Sequence, residues 1–156
     1  MKIRRAVTTD SGRILELLVQ VNNVHSEGRP DLFLKDKTKY TKEDLENIIT
    51  SDSTPIFVAV DDSDRILGYG FCVFQSHEKE PNFPDITTLY IDDICVDENC
   101  RGQHVGQELY QYITAFAKES GCYNITLNVW EKNPDAKLFY EAQGLSIQKY
   151  GMEMIL

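Results

Sequence analysis

Between Tyr90 and Leu109 the chain runs from a β-prone segment, through a turn, into an amphipathic stretch. Two adjacent carboxylates, Asp92 and Asp93, stand in the apolar segment. Successive strand residues point to opposite faces, so one of the pair is expected to face a cleft. The other is expected to pack toward loops or the opposite sheet face. Arg101, Gly102 and Gly106 follow where a helix must begin. Unpaired backbone N–H groups at a helix start, with the positive end of the helix dipole, favour an anion, and glycine lets the backbone approach a phosphate closely. Read alone, these residues fit a plain turn and two exposed strand-end carboxylates just as well. A second segment, Asn128 to Leu145, places Asn133 at a helix cap, Pro134 at the first helical position and Tyr140 two turns later.

The elements that must carry these groups follow from periodicity and punctuation. Ile3, Ala6 and Val7 suggest a short opening strand, and Asp10 or Ser11 can cap a helix over Ile14, Leu17, Leu18 and Val21. Residues 25–40 show no period and contain Gly28 and Pro30, which predicts a long loop of the kind that often carries function. Thr41 and Asp44 form a capping box for a short helix with Leu45, Ile48 and Ile49. Pro55–Val60 and Ile66–Phe74 read as a hairpin, and residues 76–86 as another loop. Thr87–Val96 is strongly β-prone. A helix follows over about 104–119, ended by Gly121, with Tyr112 and Phe116 on its apolar side. A strand is expected at Asn124–Val129 and a helix from Pro134 to Gly144, with Leu138, Phe139 and Ala142 facing inward. Leu145–Lys149 and Met152–Leu156 read as two closing strands. The expected fold is α/β (α+β): one domain over residues 1–156, with a mixed, mainly antiparallel sheet of about seven strands and helices on both faces.

The whole-chain quantities narrow the partners. The 156 residues carry a formal net charge of -9. That excludes a basic nucleic-acid surface and sits awkwardly with a polyphosphate ligand. No apolar run approaches the ~20 residues that span a bilayer, so no membrane role is expected. The N-terminal residues lack the apolar stretch of a signal peptide. Cys72, Cys95, Cys100 and Cys122 form no Cys-x-x-Cys pair and read as free thiols, which suits a cytoplasmic location. His25, His77 and His104 are widely separated, so no metal site is expected. Cys95 reads as a small core residue, Trp130 as a packing residue near a cleft rim, and His104 as an exposed first-turn residue or a phosphate contact.

Taken together the two segments resemble the GNAT superfamily of N-acetyltransferases. Arg101-Gly-Gln-His104-Val-Gly106 is similar to that family's pyrophosphate loop at the Arg and the final Gly, with His104 replacing its first Gly. Asn133 to Gly144 follows the family's Asn-x-x-Ala-x-x-Phe-Tyr-x-x-x-Gly pattern without a break. The element order fits over the whole chain. Tyr90 to Val96 resembles a segment of spermidine/spermine N-acetyltransferases whose acidic residues serve amine binding and deprotonation.

The resemblance implies acetyl-CoA as co-substrate and direct transfer to an amine, without a metal. It implies CoA contacts from Ile94, Cys95, Val96, Arg101, Gly102, Gln103, His104, Val105, Gly106, Asn133, Ala136, Phe139 and Tyr140. The backbone around Cys95 and Val96, where the fourth strand splays from the fifth, would polarise the thioester carbonyl. Tyr140 would be the general acid, and Asp92 or Asp93, directly or through water, the base. Asp92, with Glu27, Arg29, Asp31 and Phe33 of the first loop, are the candidate acceptor contacts. The negative charge favours a small cationic amine, because an acidic cleft concentrates cations. A protein lysine or N-terminal acceptor and a non-catalytic CoA-binding module are the alternatives. A homodimer is possible, with the apolar segment Leu145–Leu156 as a candidate contact.

Overall fold

The computed structural model describes residues 1–76 and 81–156, so His77 and the middle of the second expected loop lie outside the described residues. Five strands form one sheet in the order β1-β2-β3-β4-β5. They are β1 (Lys2–Arg5), β2 (Ile56–Val60), β3 (Ile66–Ser76), β4 (Thr87–Val96) and β5 (Asn124–Leu127). The first four pair antiparallel, and β4 pairs with β5 in parallel. A parallel neighbour needs a crossover, which α3 (Val105–Glu119) supplies.

Two apolar layers sandwich the sheet. On one face α1 (Ser11–Gly28) and α2 (Lys42–Ile49) cover Val58, Tyr69, Phe71 and Cys95. Ile14, Leu17 and Leu18 recur at helical spacing on α1 and are almost completely buried there. Burying Leu17 fully contributes roughly 1.5–3 kcal/mol relative to exposure. On the other face α3 sets Leu109, Ile113 and Ala117 against Phe57, Cys72, Leu89 and Ile91. With both faces covered, β2 reads as an unbroken apolar run, and all five of its residues are buried. At Gly70 a Cβ would come within 2.5 Å of Ile113 Cδ1, so that glycine lets α3 lie close to the sheet.

Several expectations hold. Thr41 and Asp44 form the reciprocal capping box on α2. The Asn133 side chain accepts from the Ala136 N–H to cap α4 (Pro134–Ala142). β4 has the expected bounds.

Others are corrected. α1 continues through His25 to Gly28, so the first loop begins only at Arg29: one more turn of hydrogen-bonded helix outweighs the weak propensity of His-Ser-Glu-Gly. Asp10 stands at the N-cap of α1 but makes no side-chain cap hydrogen bond to it. Its carboxylate accepts from the Val7 N–H and from Arg4. Tyr112, Leu138 and Ala142 are exposed. Among the described residues the sheet has five strands, not seven: residues 145–156 form no strand and are largely solvent-exposed. They contain Ile147, Tyr150, Met152, Met154, Ile155 and Leu156, each more than half exposed. Their β-prone composition finds no strand partner within this chain among the described residues.

Candidate active site

The site is built where two strands part. β4 and β5 pair from Thr88–Asn124 to Ile91–Leu127 and no further, although β4 runs on to Val96. The β5-facing edge of Asp92–Val96 therefore opens onto a wedge. One wall is the N-terminal turn of α3 and the other is α4. The cleft between them has a volume of about 440 Å³. β4 contributes Ile94 and Val96 to its lining. The turn and α3 contribute Arg101, Gly102, His104, Val105 and Gly106, and α4 contributes Ala136, Phe139 and Tyr140. Cys100, Gln107 and Gln143 join them without any sequence signal.

Three expected CoA residues do not line the cleft. Gln103 is exposed, and Asn133 spends its side chain on the α4 cap. Cys95 turns its thiol to the opposite face, where Sγ donates to the Leu17 carbonyl at 3.5 Å. Burial pushes that thiol up to about 12, so it stays protonated and suits the core role expected of it. Only the backbone of Cys95 is left at the wedge side.

His104 takes φ 62°, the left-handed conformation that glycine adopts freely. The substitution thus keeps the backbone path that a glycine would follow into α3. Its ring Nδ1 lies 3.2 Å from Gln107 Oε1. Gly102 also has a positive φ, 74°. The turn that precedes it is fixed by Asp97, which is buried, accepts from the Asn99 N–H at 2.9 Å and pairs with Arg13 of α1. The Asn99 N–H is the largest cause holding the Asp97 carboxyl below its usual range, with the Arg13 guanidinium adding to it.

The carboxylate pair differs from the expectation. Asp92 and Asp93 do not alternate between sheet faces in the simple way, because β4 bulges there. Phe71 pairs with Asp93 while Cys72 pairs with Ile91, which leaves Asp92 as the extra residue. The bulge lets Ile91 and Ile94, three apart, both join the α3-side core. It also turns both carboxylates toward α1 and the loop after it. Asp92 pairs with Lys39 of that loop, and Asp93 accepts from the Tyr69 hydroxyl at 2.7 Å.

Burial pushes the Asp93 carboxyl up to about 6, against the lowering pull of the Tyr69 hydrogen bond and the Lys39 ammonium. Burial, then the charge of Asp93, raises the Tyr140 phenol well above its ordinary value. A phenol held protonated can give a proton, and a carboxylate poised near neutrality can take one. Tyr140 is held by an aromatic trio, with Phe139 at 5.0 Å and Tyr110 of α3 at 6.3 Å between ring centroids.

Of the other acceptor candidates, Phe33 fits best. Its ring meets Trp130 edge-on at 5.3 Å and His25 at 5.2 Å, making an aromatic cluster between the end of α1, the loop after it and the segment after β5. Arg29 pairs with Asp31 and with Glu153 of the C-terminal segment. Glu27 is exposed in the last turn of α1. Sequence reasoning missed His25, Lys39 and Tyr69. Burial and the Lys39 ammonium lower the His25 imidazole, whose Nδ1 is buried without a hydrogen-bond partner. Only the strand register, which sets Tyr69 opposite Cys95, could have pointed to Tyr69.

Among the described residues no group of three or more His, Cys, Asp and Glu side chains could hold a metal ion. No helix among them is long and apolar enough to cross a membrane.

Comparison with known proteins identifies the family and the fold. The acetyltransferase (GNAT) family matches residues 13–145. Glucosamine 6-phosphate N-acetyltransferase of Arabidopsis thaliana is 33% identical over 57 residues, a stretch that spans 36% of this chain and 36% of that protein. A mutant form of a Bacillus halodurans protein superposes with a TM-score of 0.94 at 29% identity, covering 100% of this chain and 99% of that one. An aminoglycoside acetyltransferase from an uncultured soil metagenomic sample shares the fold, with a TM-score of 0.73 at 20% identity, covering 99% and 95%.

Proposed function

Because the chain belongs to the acetyltransferase (GNAT) family, we propose that it moves an acetyl group from acetyl-CoA directly to a small cationic primary amine in a ternary complex. The observation that supports this reading is the end of the β4–β5 ladder at Ile91–Leu127, which opens a cleft lined by Arg101, Gly102, Gly106 and Tyr140; Asp92 and Asp93 lie on the same parted stretch of β4 but do not line that cleft.

The residues fit a nucleotide thioester. Arg101 and the amides around Gly102 and Gly106 suit the pyrophosphate, and the freed backbone near Cys95 and Val96 suits the thioester carbonyl. The co-substrate supplies an activated acetyl group. Asp93 relieves the acceptor ammonium of a proton, directly or through a water, so that its nitrogen can form the amide bond. As the C–S bond breaks, the Tyr140 hydroxyl gives its proton to the leaving sulfur. The Cys72 and Cys95 thiols, both pushed up to about 12 by burial, do not compete as nucleophiles. The net charge of -9 suits attraction of a cationic acceptor, while CoA is met locally by Arg101 and the backbone amides of the turn into α3.

The likeness of Tyr90–Val96 to spermidine/spermine N-acetyltransferases supports a polyamine-like acceptor. The aminoglycoside and amino-sugar enzymes among the relatives extend the amine panel to be tried. Steady-state CoA release is the test, with polyamines, aminoglycosides, glucosamine 6-phosphate and lysine peptides as acceptors. Turnover with a cationic amine supports the proposal, whereas no CoA release with any amine or peptide sinks it.

Four free cysteines, three of them buried, support a cytoplasmic location. The exposed apolar tail 145–156 and the edge position of β5 support a homodimer in which each tail pairs with the partner's sheet. Deleting residues 146–156 is then expected to give a monomer by sedimentation.

A further inference from the structure

The proposed acceptor site already holds a primary ammonium, supplied by the chain itself. Lys39 lies in the loop between α1 and α2, and its Nζ pairs with Asp92, the bulge residue of β4. The same Nζ stands 5.1 Å from the centroid of the Tyr40 ring. Carboxylate and aromatic face together are the recognition elements an alkylammonium needs.

The loop that carries Lys39 is fastened on both sides of it. The Asn22 side chain donates to the Leu34 carbonyl at 2.7 Å. Asn23 and Asp36 exchange two hydrogen bonds of 2.8 and 2.9 Å. Tyr40 stacks on Phe71 at 6.0 Å with the planes 6° apart. The loop backbone is therefore held while the lysine side chain, half exposed, is free to swing into solvent. An exposed-side ion pair of this kind is worth roughly 0.2–1 kcal/mol, weak enough for a competing cation to displace it. A structural cross-link would be built otherwise: Arg13 and Asp97, which fix the cofactor turn, pair a guanidinium with a buried carboxylate that also accepts from a backbone N–H.

We propose that Lys39 is a built-in stand-in for the acceptor, occupying the ammonium subsite on Asp92 until an incoming primary alkylammonium displaces it. This rests on the cationic-acceptor reading above and adds to it the chemistry of the acceptor, an ammonium on an unbranched alkyl stem like that of lysine itself. Lys39 then sets a threshold. Only amines that outcompete a tethered lysine reach Asp93, and the site carries no naked carboxylate pair between turnovers.

The test is calorimetric binding of n-butylammonium to the full chain saturated with CoA, which lacks the acetyl group and allows no turnover. Wild type is compared with Lys39→Ala, Lys39→Met and Asp92→Asn, each checked for an unchanged melting profile. A pair worth roughly 0.2–1 kcal/mol fills the subsite about 60–85% of the time, so freeing Lys39 should tighten n-butylammonium by about two- to sixfold. The gain should appear in both lysine variants and be lost in Asp92→Asn. Equal or weaker binding by both lysine variants, with measurable binding by wild type, overturns the stand-in and leaves the cationic-acceptor reading intact. Binding to none of the four proteins overturns both.

Discussion

Every buried residue among those described lies at or before Ala117, in the region of the four antiparallel strands with α1, α2 and α3, whereas beyond Ala117 none is buried. The proposed site straddles that division. Its floor, Ile94 and Val96 of β4, belongs to the packed region, and its outer wall, α4 with Tyr140, belongs to the lightly packed one. The floor is held by a strand ladder on β3 and by the buried hydroxyl of Tyr69. The wall is held by the Asn133 cap and the Tyr110–Phe139–Tyr140 aromatic contacts. A cleft of this kind has one fixed reference surface and one surface that a bound ligand, or a partner's tail, can firm up.

The sharpest break comes on the strand that carries the floor. Asp93→Asn keeps an acceptor for the Tyr69 hydroxyl but removes the base, so kcat/KM should fall about 10²–10⁴-fold. The wild-type kcat/KM should rise with pH through about 6, where the carboxyl ionises, and the variant should lose that rise. Stability should move the other way. The folded state holds the Asp93 proton more tightly than the unfolded chain does, so the contribution of this group is greatest below the ordinary carboxylate pKa and is lost as pH rises through about 6. At pH 7.5 the Asn variant is therefore expected to be more stable, by about 1–3 kcal/mol, and the gain should vanish near pH 4. An unchanged pH profile would move the base to Asp92 or to solvent.

On the wall, Tyr140→Phe keeps the ring contacts and removes the proton. A fall in kcat of about 10²–10³-fold is expected, with CoA affinity within about twofold of wild type by calorimetry. Loss of CoA affinity instead would make Tyr140 part of the packing of the cleft rather than of the chemistry.

How far all this could be read from the chain follows the same division. β4, the α2 capping box and the α4 cap are specified by local pattern, and local pattern was sufficient. The bulge at Asp92 was hidden, because it is set by two apolar residues, Ile91 and Ile94, both seeking the α3 core. The Lys39–Asp92 pair and the Tyr69–Asp93 hydrogen bond join residues far apart in sequence, and no periodicity announces such meetings. The closing strands failed for a different reason. Their β-propensity is real, but a strand needs a neighbour, and among the described residues none pairs with 145–156.

A packing pair probes the division without touching chemistry. Leu17, fully buried on α1, should cost about 2–5 kcal/mol of unfolding free energy as Leu17→Ala. Leu138, 64% exposed on α4, should cost less than about 0.5 kcal/mol as Leu138→Ala. A large loss at Leu138 would mean that α4 is covered in solution, the result expected if a partner's tail lies over it. Chemical denaturation at low and high protein concentration separates the two cases, because only coverage by a second copy makes the Leu138 effect depend on concentration.

The smallest expected effect lies at the join of floor and wall. His104 enters α3 at φ 62°, where a side chain costs about 1 kcal/mol and glycine almost nothing. Glycine also widens the unfolded ensemble, which offsets part of that relief. His104→Gly should therefore change stability by no more than about 1 kcal/mol. It removes the contact with Gln107 but leaves the backbone amides of the turn in place. If those amides and Arg101 carry the pyrophosphate, CoA affinity should change less than about threefold in the variant, and kcat should be unaffected. A tenfold loss of affinity would assign the imidazole a direct phosphate contact. It would also make His104 a functional replacement for the family's glycine, and not merely a residue that tolerates its conformation.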